Sequence, residues 1–322
     1  MATQRIAIVG LGLIGASLGL ALHRLPRPPD VVGHDRDAAT ARRAARSRAV
    51  DRTAETVAEA VANADLVVLA TPVRTIAPLL AELAPHVAAE CVVTDTGSTK
   101  EQVVARAAEV APAVAFVGGH PMAGRLTQGT QDADAALFDG TVYCLTPVES
   151  TPPGAVARVV ELVEAIGARP HFLAPAEHDG LVAAVSHLPY LLASALMAQS
   201  SGDPAWRERA TLAAGGFATM TRLTEGEPEM YADICLTNRD AIVRQLDLYG
   251  EELADLRAAI AAGDEGLRER FSRARDEHAR WLGERERGAS SGVDAEDLRP
   301  PNPFLPQRWQ DALRGRRPPR RD

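Results

Sequence analysis

The feature that most constrains the fold is a group of glycines between a short apolar run and a helical pattern. Gly10-Leu-Gly-Leu-Ile-Gly15 follows the β-branched run Arg5-Ile-Ala-Ile-Val9 and precedes a helical segment at 16–25. In a strand–turn–helix unit, the first glycine permits a tight turn and the second lets a ligand approach the backbone. The third allows the helix to pack closely on the strand. The pattern therefore predicts a phosphate-binding turn inside a βαβ unit.

Apolar runs and helical patterns alternate through the first half of the chain. Strands are predicted at 5–9, 31–35, 64–70, 91–95, 114–117, 142–146 and 169–173, and helices between them at 16–25, 38–48, 76–83 and 100–108. Such alternation is typical of a parallel, doubly wound sheet. We therefore predict an α/β fold, with a Rossmann-type parallel sheet domain over 1–173.

After residue 173 the pattern becomes helical, with predicted helices at 178–200, 208–222 and 230–262. Pro189 lies inside the first of them and predicts a kink or a break. We expect an all-α domain for substrate binding and dimerisation over 174–287. A Pro/Arg-rich tail over 288–322 has the composition of a disordered segment.

An apolar stripe runs along the helix predicted at 230–262. Its members recur at spacings of four and three: Ile242, Leu246, Tyr249, Leu253, Leu256 and Ile260. Burial inside the helical bundle of one subunit and burial between two subunits both produce this pattern. We favour the subunit interface, and hence a homodimer, because the helical domain is small.

Composition and charge exclude several other classes of protein. With 46% hydrophobic residues in 322, the chain is globular, and a net charge of −8 argues against nucleic acid as a partner. We identify neither a signal peptide nor an apolar run long enough to span a membrane. The three cysteines lack metal or disulfide spacing. We expect a cytoplasmic protein without a metal site or a membrane partner.

Asp35 indicates which phosphate-containing ligand the glycine turn binds. It ends the second predicted strand, twenty residues after Gly15, where a carboxylate would accept hydrogen bonds from ribose hydroxyls. This favours NAD over NADP, although the adjacent Arg36 could hold a 2′-phosphate. Thr71 and Pro72 follow another strand and should border the nicotinamide half. The predicted NAD-binding residues are Gly10, Gly12, Leu13, Ile14, Gly15, Asp35, Arg36, Thr71 and Pro72.

Two side chains at the ends of later strands are candidates for chemistry. His120 lies in Gly118-Gly-His-Pro-Met-Ala-Gly124, which we interpret as a loop following a strand, and histidine can act as an acid or base near neutral pH. Ser98 has a hydroxyl that donates and accepts, although capping of the next helix would explain it equally well. Lys100, the only lysine, lies nearby and suggests a local need for a compact ammonium.

Three residues of the helical half are candidate substrate ligands. His187 and Tyr190 are three residues apart and share a helix face. His187 alone is as readily explained as a hydrogen-bonded core histidine. Arg222 lies between two predicted helices and needs an anionic partner, either a protein carboxylate or a substrate.

These motifs together resemble the prephenate/arogenate dehydrogenase family from the N-terminus to about residue 262. The resemblance is carried by the glycine turn, Asp95-Thr-Gly-Ser-Thr-Lys100, the His120 segment, Val185-Ser-His-Leu-Pro189, and Arg222 followed by Met230-Tyr-Ala-Asp233. It implies NAD-dependent oxidative decarboxylation of a cyclohexadienol. It also implies that His120 takes the proton of the ring hydroxyl, that Ser98 holds this hydroxyl and helps to place the histidine, and that Arg222 binds a substrate carboxylate. His187 would support the pocket wall.

Two departures from the family pattern concern the substrate side chain. Leu126 occupies a position that is usually acidic, with Gln128 close by, and Tyr190 replaces the last histidine of Ser-His-Leu-Pro-His. We therefore add Leu126, Gln128 and Tyr190 to the candidate substrate-binding residues. Prephenate is the leading substrate, and arogenate or 4-amino-4-deoxyprephenate are alternatives.

Two readings lie outside this family. A β-hydroxyacid dehydrogenase or imine reductase would share the domain order but not the His-Pro-Met-Ala-Gly segment. A non-catalytic dinucleotide sensor would need the glycine turn and Asp35, yet have no use for His120, Ser98 and Arg222 together.

Overall fold

The structure is a computed structural model that describes residues 4–125, 129–290 and 308–309. One compact unit runs from the first strand to Ile242 and includes Trp309, and a second extends from Val243 to the end of the last helix. The boundaries predicted at 173 and 287 differ from this division and stay predictions.

An eight-stranded sheet forms the centre of the first unit, in the order β3-β2-β1-β4-β5-β6-β7-β8. The strands are β1 (Arg5–Val9), β2 (Asp30–His34), β3 (Arg52–Thr53), β4 (Leu66–Leu69), β5 (Val92–Asp95), β6 (Ala115–Pro121), β7 (Val142–Thr146) and β8 (Arg169–Phe172). The predicted Rossmann-type sheet followed by helices is confirmed.

Helices cover both faces of the sheet. They are α1 (Leu13–His23), α2 (Ala38–Arg46), α3 (Val57–Val61), α4 (Val73–Leu83), α5 (Glu101–Val110) and α6 (Pro153–Ala165). Successive residues of β1 enter opposite cores, since Ile6 and Ile8 join one buried cluster while Ala7 and Val9 join the other. A strand buried on both faces is apolar throughout, which explains the continuous apolar runs in the sequence.

The predicted parallel sheet is mostly parallel, and one pair of neighbouring strands departs from it. Strands β1 to β6 are parallel, but β7 is antiparallel to β6, and β8 is parallel to β7. Strand β6 pairs with β5 only over 115–117, and then with β7 over 118–121. His120 therefore lies on a strand, opposite Cys144, and not in the loop that we expected.

The chain after residue 174 is helical, as predicted, but it forms more and shorter helices than the three expected. Its helices are α7 (Pro175–Val182), α8 (Leu188–Ser201), α9 (Trp206–Leu212), α10 (Gly215–Thr221), α11 (Pro228–Thr237), α12 (Arg239–Ala262) and α13 (Leu267–Ser290). A 3-10 turn, Arg222–Glu225, follows α10. We expected a kink or a break at Pro189. The interruption lies just before this proline, where Ala183–His187 form a π-helical turn between α7 and α8.

The run Pro175–Ser201 is long and apolar enough to cross a membrane by length and composition alone. This corrects our expectation that no apolar run reaches that length. His178 and Asp179 are fully buried within the run and hydrogen-bonded to other elements.

Trp309 departs from the expectation of a disordered tail. Its side chain is only 3% exposed, belongs to the same buried cluster as α6, and donates from Nε1 to the carbonyl of Thr151 at 3.2 Å. A C-terminal residue is thus packed against the sheet unit.

Candidate active site

A cleft of about 1430 Å³ lies in the first unit, where several strands of the sheet end. Its walls come from the glycine turn after β1, the end of β2, the segments after β4 and β5, the end of β6, and α11. Ligands of doubly wound sheets bind at the carboxyl ends of the strands. The cleft is therefore the candidate site.

The three glycines of the turn have different structural requirements. Gly10 has φ +93°, and a Cβ there would lie 2.3 Å from the carbonyl oxygen of Ala70. A Cβ on Gly15 would lie 1.9 Å from the carbonyl oxygen of Gly10. A Cβ on Gly12 would meet nothing within 4 Å and would project into open space. Gly10 and Gly15 are thus required by the fold, whereas Gly12 leaves room for a ligand.

Helix α1 begins directly at this turn, and no side chain caps it. Gly12 is its N-cap, its first turn carries no acidic residue, and Gly12, Leu13 and Ile14 line the cleft. Uncapped N–H groups at a helix N-terminus attract anions. The turn therefore fits the pyrophosphate of a dinucleotide.

Asp35 and Arg36 line the cleft at the end of β2. The Asp35 carboxylate accepts from the backbone N–H of Leu11 at 2.8 Å and of Asp37 at 2.9 Å. Each oxygen keeps a further acceptor site. The carboxylate is thus held by the glycine turn with capacity for ribose hydroxyls.

Thr71, Pro72 and Ser98 also line the cleft, after β4 and β5. Ser98 does not cap α5, because the carboxylate of Asp179 accepts from the first backbone N–H groups, Lys100 at 2.7 Å and Glu101 at 2.9 Å. The structure shows no hydrogen bond between Ser98 and His120 among the residues it describes.

A buried ion pair fixes the backbone next to His120. Lys100 and Asp95 are both fully buried, and Nζ of Lys100 contacts Oδ2 of Asp95. Nζ also donates to the carbonyl of Gly119 at 2.8 Å, while the N–H of Gly119 donates to Oδ1 of Asp95 at 3.0 Å. Both polar groups of Gly119 are thereby bound. The sequence suggested a local need for a lysine, and the contacts of Lys100 with Asp95 and Gly119 explain it.

His120 lines the cleft and is held from behind by a second histidine. Its Nδ1 lies 2.9 Å from Nε2 of His178, and Nδ1 of His178 lies 2.7 Å from Oδ1 of Asp179. Nε2 of His120 has no hydrogen-bond partner among the described residues. The ring therefore offers one nitrogen to the protein and one to a ligand.

Burial lowers the pKa of His120 well below its ordinary value of 6.5, and the nearby His178, Lys100 and His187 lower it further. A histidine with a lowered pKa is neutral at physiological pH. It then has a lone pair to accept a proton.

The predicted substrate residues are placed differently from one another. Arg222 lines the cleft, and its guanidinium makes no ion pair with any residue in the described part of the chain. Tyr190 lies behind the cleft wall and stacks on Tyr231, a lining residue, with ring centroids 3.3 Å apart.

His187 is buried, with Nδ1 3.3 Å from Nδ2 of Asn238, and does not line the cleft. Leu126 and Gln128 lie outside the described residues.

The sequence reasoning missed His178, Asp179 and Tyr231 as parts of the site. A signal was present, since His178 and Asp179 are adjacent polar residues at the start of a long apolar helix. Their contacts with His120 and α5 join residues 58 and 79 positions apart. No local pattern reports such contacts.

Two family models cover most of the chain. The nucleotide-binding domain of prephenate dehydrogenase matches residues 18–171, and the dimerization domain of prephenate dehydrogenase matches residues 174–274. A prephenate dehydrogenase of Bacillus subtilis is 35% identical over 277 residues, which are 84% of this chain and 74% of that protein.

Two further proteins are similar in sequence or in structure. A cyclohexadienyl dehydrogenase of Zymomonas mobilis is 34% identical over 81% of this chain and 90% of its own length. The crystal structure of an Aquifex aeolicus prephenate dehydrogenase, in complex with hydroxyphenyl propionate and NAD+, superposes with a TM-score of 0.82 at 26% identity. That match covers 87% of this chain and 99% of the crystallised one. The glycine turn, the His120 segment and these matches together show that the chain belongs to the prephenate dehydrogenase family.

Proposed function

We propose that this protein catalyses the NAD-dependent oxidative decarboxylation of prephenate to 4-hydroxyphenylpyruvate. The observation that carries the proposal is the position of the His120 ring, which lines the same cleft as the glycine turn and leaves Nε2 free, while burial lowers the pKa of the ring. The prephenate dehydrogenases of Bacillus subtilis and Aquifex aeolicus support the choice of substrate.

The glycine turn, the N-terminus of α1 and Asp35 would hold NAD, since Gly12 leaves open space where the pyrophosphate must approach. When bound, NAD+ supplies the hydride acceptor. Thr71 and Pro72 would border its nicotinamide end. The chain's own residues then have to orient the substrate and remove one proton.

His120 performs the proton removal in this proposal. Nε2 accepts the proton of the ring hydroxyl as hydride leaves the carbon that bears it, and the ring carboxylate departs as carbon dioxide while the ring becomes aromatic. The electrons of the broken carbon–carboxylate bond enter the ring and leave a phenolate oxygen, which takes the proton back from Nε2 of His120. The substrate thus loses one hydride and carbon dioxide in total, and the product keeps its hydroxyl. Ser98 supports the hydroxyl from the segment after β5.

Arg222 binds a substrate carboxylate in this proposal. Its exposed guanidinium lines the cleft without a carboxylate partner among the described residues. A guanidinium suits a carboxylate because its donors match both oxygens. Tyr190 acts through Tyr231, and His187 supports the wall. Leu126 and Gln128 stay predictions.

The same residues would serve arogenate, which keeps the ring hydroxyl and the ring carboxylate. 4-Amino-4-deoxyprephenate would present an amino group to His120 and Ser98 in place of that hydroxyl. The Zymomonas mobilis relative is named a cyclohexadienyl dehydrogenase, a name that does not single out prephenate. We keep prephenate first and treat the others as outcomes of the assay.

We also propose a cytoplasmic homodimer. The match to a dimerization domain supports the dimer. The three free cysteines fit a reducing compartment.

The test is a substrate panel followed by NADH absorbance. We expect turnover with prephenate and NAD, and a kcat lowered on the order of 10²- to 10⁴-fold in His120→Asn with unchanged NAD affinity. Arg222→Gln should mainly raise KM for the substrate.

The other outcomes separate the alternatives. Turnover confined to arogenate or to 4-amino-4-deoxyprephenate would replace prephenate as the substrate. Tight NAD binding without turnover of any of the three would favour the dinucleotide sensor. An equal loss of kcat and NAD affinity in His120→Asn would mean that His120 is structural.

A further inference from the structure

We propose that His178 and Asp179 are positioning residues that fix the tautomer of His120, so that the lone pair available to a ligand is on Nε2. The proposal deepens the proposed function and rests on it for its kinetic test only. Neither residue lines the cleft, and each acts through its neighbour.

The direction of the hydrogen bonds follows from the Asp179 carboxylate. Oδ1 accepts from the N–H of Lys100 at 2.7 Å, and Oδ2 accepts from the N–H of Glu101 at 2.9 Å. Both oxygens thus act as acceptors, and Oδ1 also lies 2.7 Å from Nδ1 of His178. A carboxylate has no hydrogen to give. Nδ1 of His178 must therefore be the donor.

This first bond determines the second. A neutral imidazole that carries its hydrogen on Nδ1 has an acceptor at Nε2. Nε2 of His178 lies 2.9 Å from Nδ1 of His120, so Nδ1 of His120 donates. The hydrogen of the neutral His120 ring is then on Nδ1, and its lone pair is on Nε2.

The arrangement also stabilises the protonated form of His120. When Nε2 accepts a proton, the Nδ1–H remains directed at His178, whose own Nδ1–H is directed at the carboxylate. The two ring centroids are 5.1 Å apart and His178 is fully buried, so little water screens the carboxylate from the new charge. In the free enzyme, burial and the neighbouring His178, Lys100 and His187 lower the pKa of His120, which keeps Nε2 unprotonated before substrate binds.

Asp179 has a structural role as well, because it caps α5 and its carbonyl accepts from Nδ2 of Asn238 at 2.8 Å. Substitution of Asp179 would therefore test two roles at once. His178 allows a cleaner test. In His178→Gln the terminal amide reaches about as far as Nε2, and its oxygen can still accept from His120. In His178→Asn the shorter amide reaches only as far as Nδ1, so it can donate to Asp179 but cannot reach His120.

The kinetic test compares these two variants with a matched control. His23 also faces an aspartate, with Nε2 3.3 Å from Oδ1 of Asp51, but lies at the end of α1 outside the cleft. We expect His178→Asn to lower kcat about 10- to 100-fold and to leave KM for prephenate within about twofold. This loss is a part of the ~10²- to 10⁴-fold rate increase that a general base contributes. His178→Gln should recover most of the loss, and His23→Asn should match the wild type. Equal kcat values for wild type and His178→Asn would overturn the proposal, as would equal losses in both His178 variants.

The second test needs no turnover. The ring ¹⁵N shifts of ¹⁵N-histidine-labelled protein report which nitrogen carries the hydrogen, and the His120→Asn spectrum assigns His120 among the eight histidines. We expect His120 of the wild type in the Nδ1–H form, with the Nε2–H form appearing in His178→Asn but not in His23→Asn. An Nε2–H form in the wild type, or an unchanged His120 signal in His178→Asn, would overturn the proposal. If the wild type turns over no substrate of the panel, the proposed function fails while this measurement still decides the tautomer.

Discussion

His187 is a histidine whose burial favours the neutral form of its ring. It is 2% exposed, and burial lowers its pKa from 6.5 to about 4, an effect that the nearby Asp179 only partly offsets. In the unfolded chain the ring binds a proton at a higher pH than in the native protein. The free energy of unfolding therefore falls as the pH drops from 6.5 towards 4, and levels off below that.

The size of this effect gives a measurable prediction. One pH unit corresponds to about 1.4 kcal/mol, so His187 should account for about 3 kcal/mol of lost stability over this interval. Urea unfolding of wild type and His187→Asn between pH 4 and 7 measures it. We expect the stability difference between the two proteins to change over this range and to be constant above pH 6.5. A difference that does not vary with pH would mean that His187 is protonated equally in both states.

At the scale of single residues, the sequence drew attention to His120, Ser98, Asp35 and Arg222, but not to the residues that contact them. All four line one cleft, and their roles in it stay predictions. Their partners were not predictable, because His178 reaches His120 through tertiary packing. The same limit applies to Tyr190, a predicted substrate ligand, because its stacking on Tyr231 could not be predicted from the sequence either.

At the scale of elements, two glycines of the turn, Gly10 and Gly15, are required by backbone packing, whereas Gly12 leaves space for a ligand. A methyl on Gly15 would lie 1.9 Å from the carbonyl oxygen of Gly10, so Gly15→Ala must displace backbone. We expect it to cost about 3 kcal/mol or more, as severe overpacking does. A methyl on Gly12 meets no protein atom, so Gly12→Ala should cost only about 1 kcal/mol, the difference between glycine and alanine at a helix N-cap.

Gly12→Ala should weaken NAD binding although it has little effect on stability. The Gly12 methyl would occupy the space through which the pyrophosphate approaches α1, so we expect the Kd for NAD to rise at least about tenfold. Thermal unfolding without NAD and calorimetric titration with NAD measure the two effects on one preparation. A loss of stability in Gly12→Ala as large as that in Gly15→Ala, or normal NAD affinity in a folded Gly12→Ala, would contradict the assignment.

Element boundaries show where local patterns stop being informative. The buried strands of the sheet were predictable because each is apolar on both faces. The end of β6 was not, since 118–121 becomes a strand only by pairing with β7, more than twenty residues later. The sequence of Gly118, Gly119 and His120 is typical of a loop, yet these residues form the end of β6, which borders the cleft.

At the scale of the whole molecule, half of the apolar stripe of α12 is exposed in the single chain, whereas Ile242 at its start is buried in a core cluster. Leu246, Leu253 and Ile260 are 40%, 50% and 59% exposed. Leu253, Leu256 and Ile260 also line a depression of about 370 Å³ in the second unit. Burial within the bundle was the alternative left open by the sequence, and these exposures favour the interface between subunits.

A charge on the stripe should therefore weaken the dimer. In a symmetric interface each substitution occurs twice, and burial of a leucine contributes about 1.5–3 kcal/mol. Leu253→Glu should then raise the dimer Kd on the order of 10²- to 10⁴-fold. Leu248→Glu is the matched control, because Leu248 is 48% exposed on the same helix but off the stripe. Sedimentation equilibrium of the three proteins measures the Kd. Equal weakening by both substitutions would indicate a general effect on α12, and no weakening by Leu253→Glu would place the interface elsewhere.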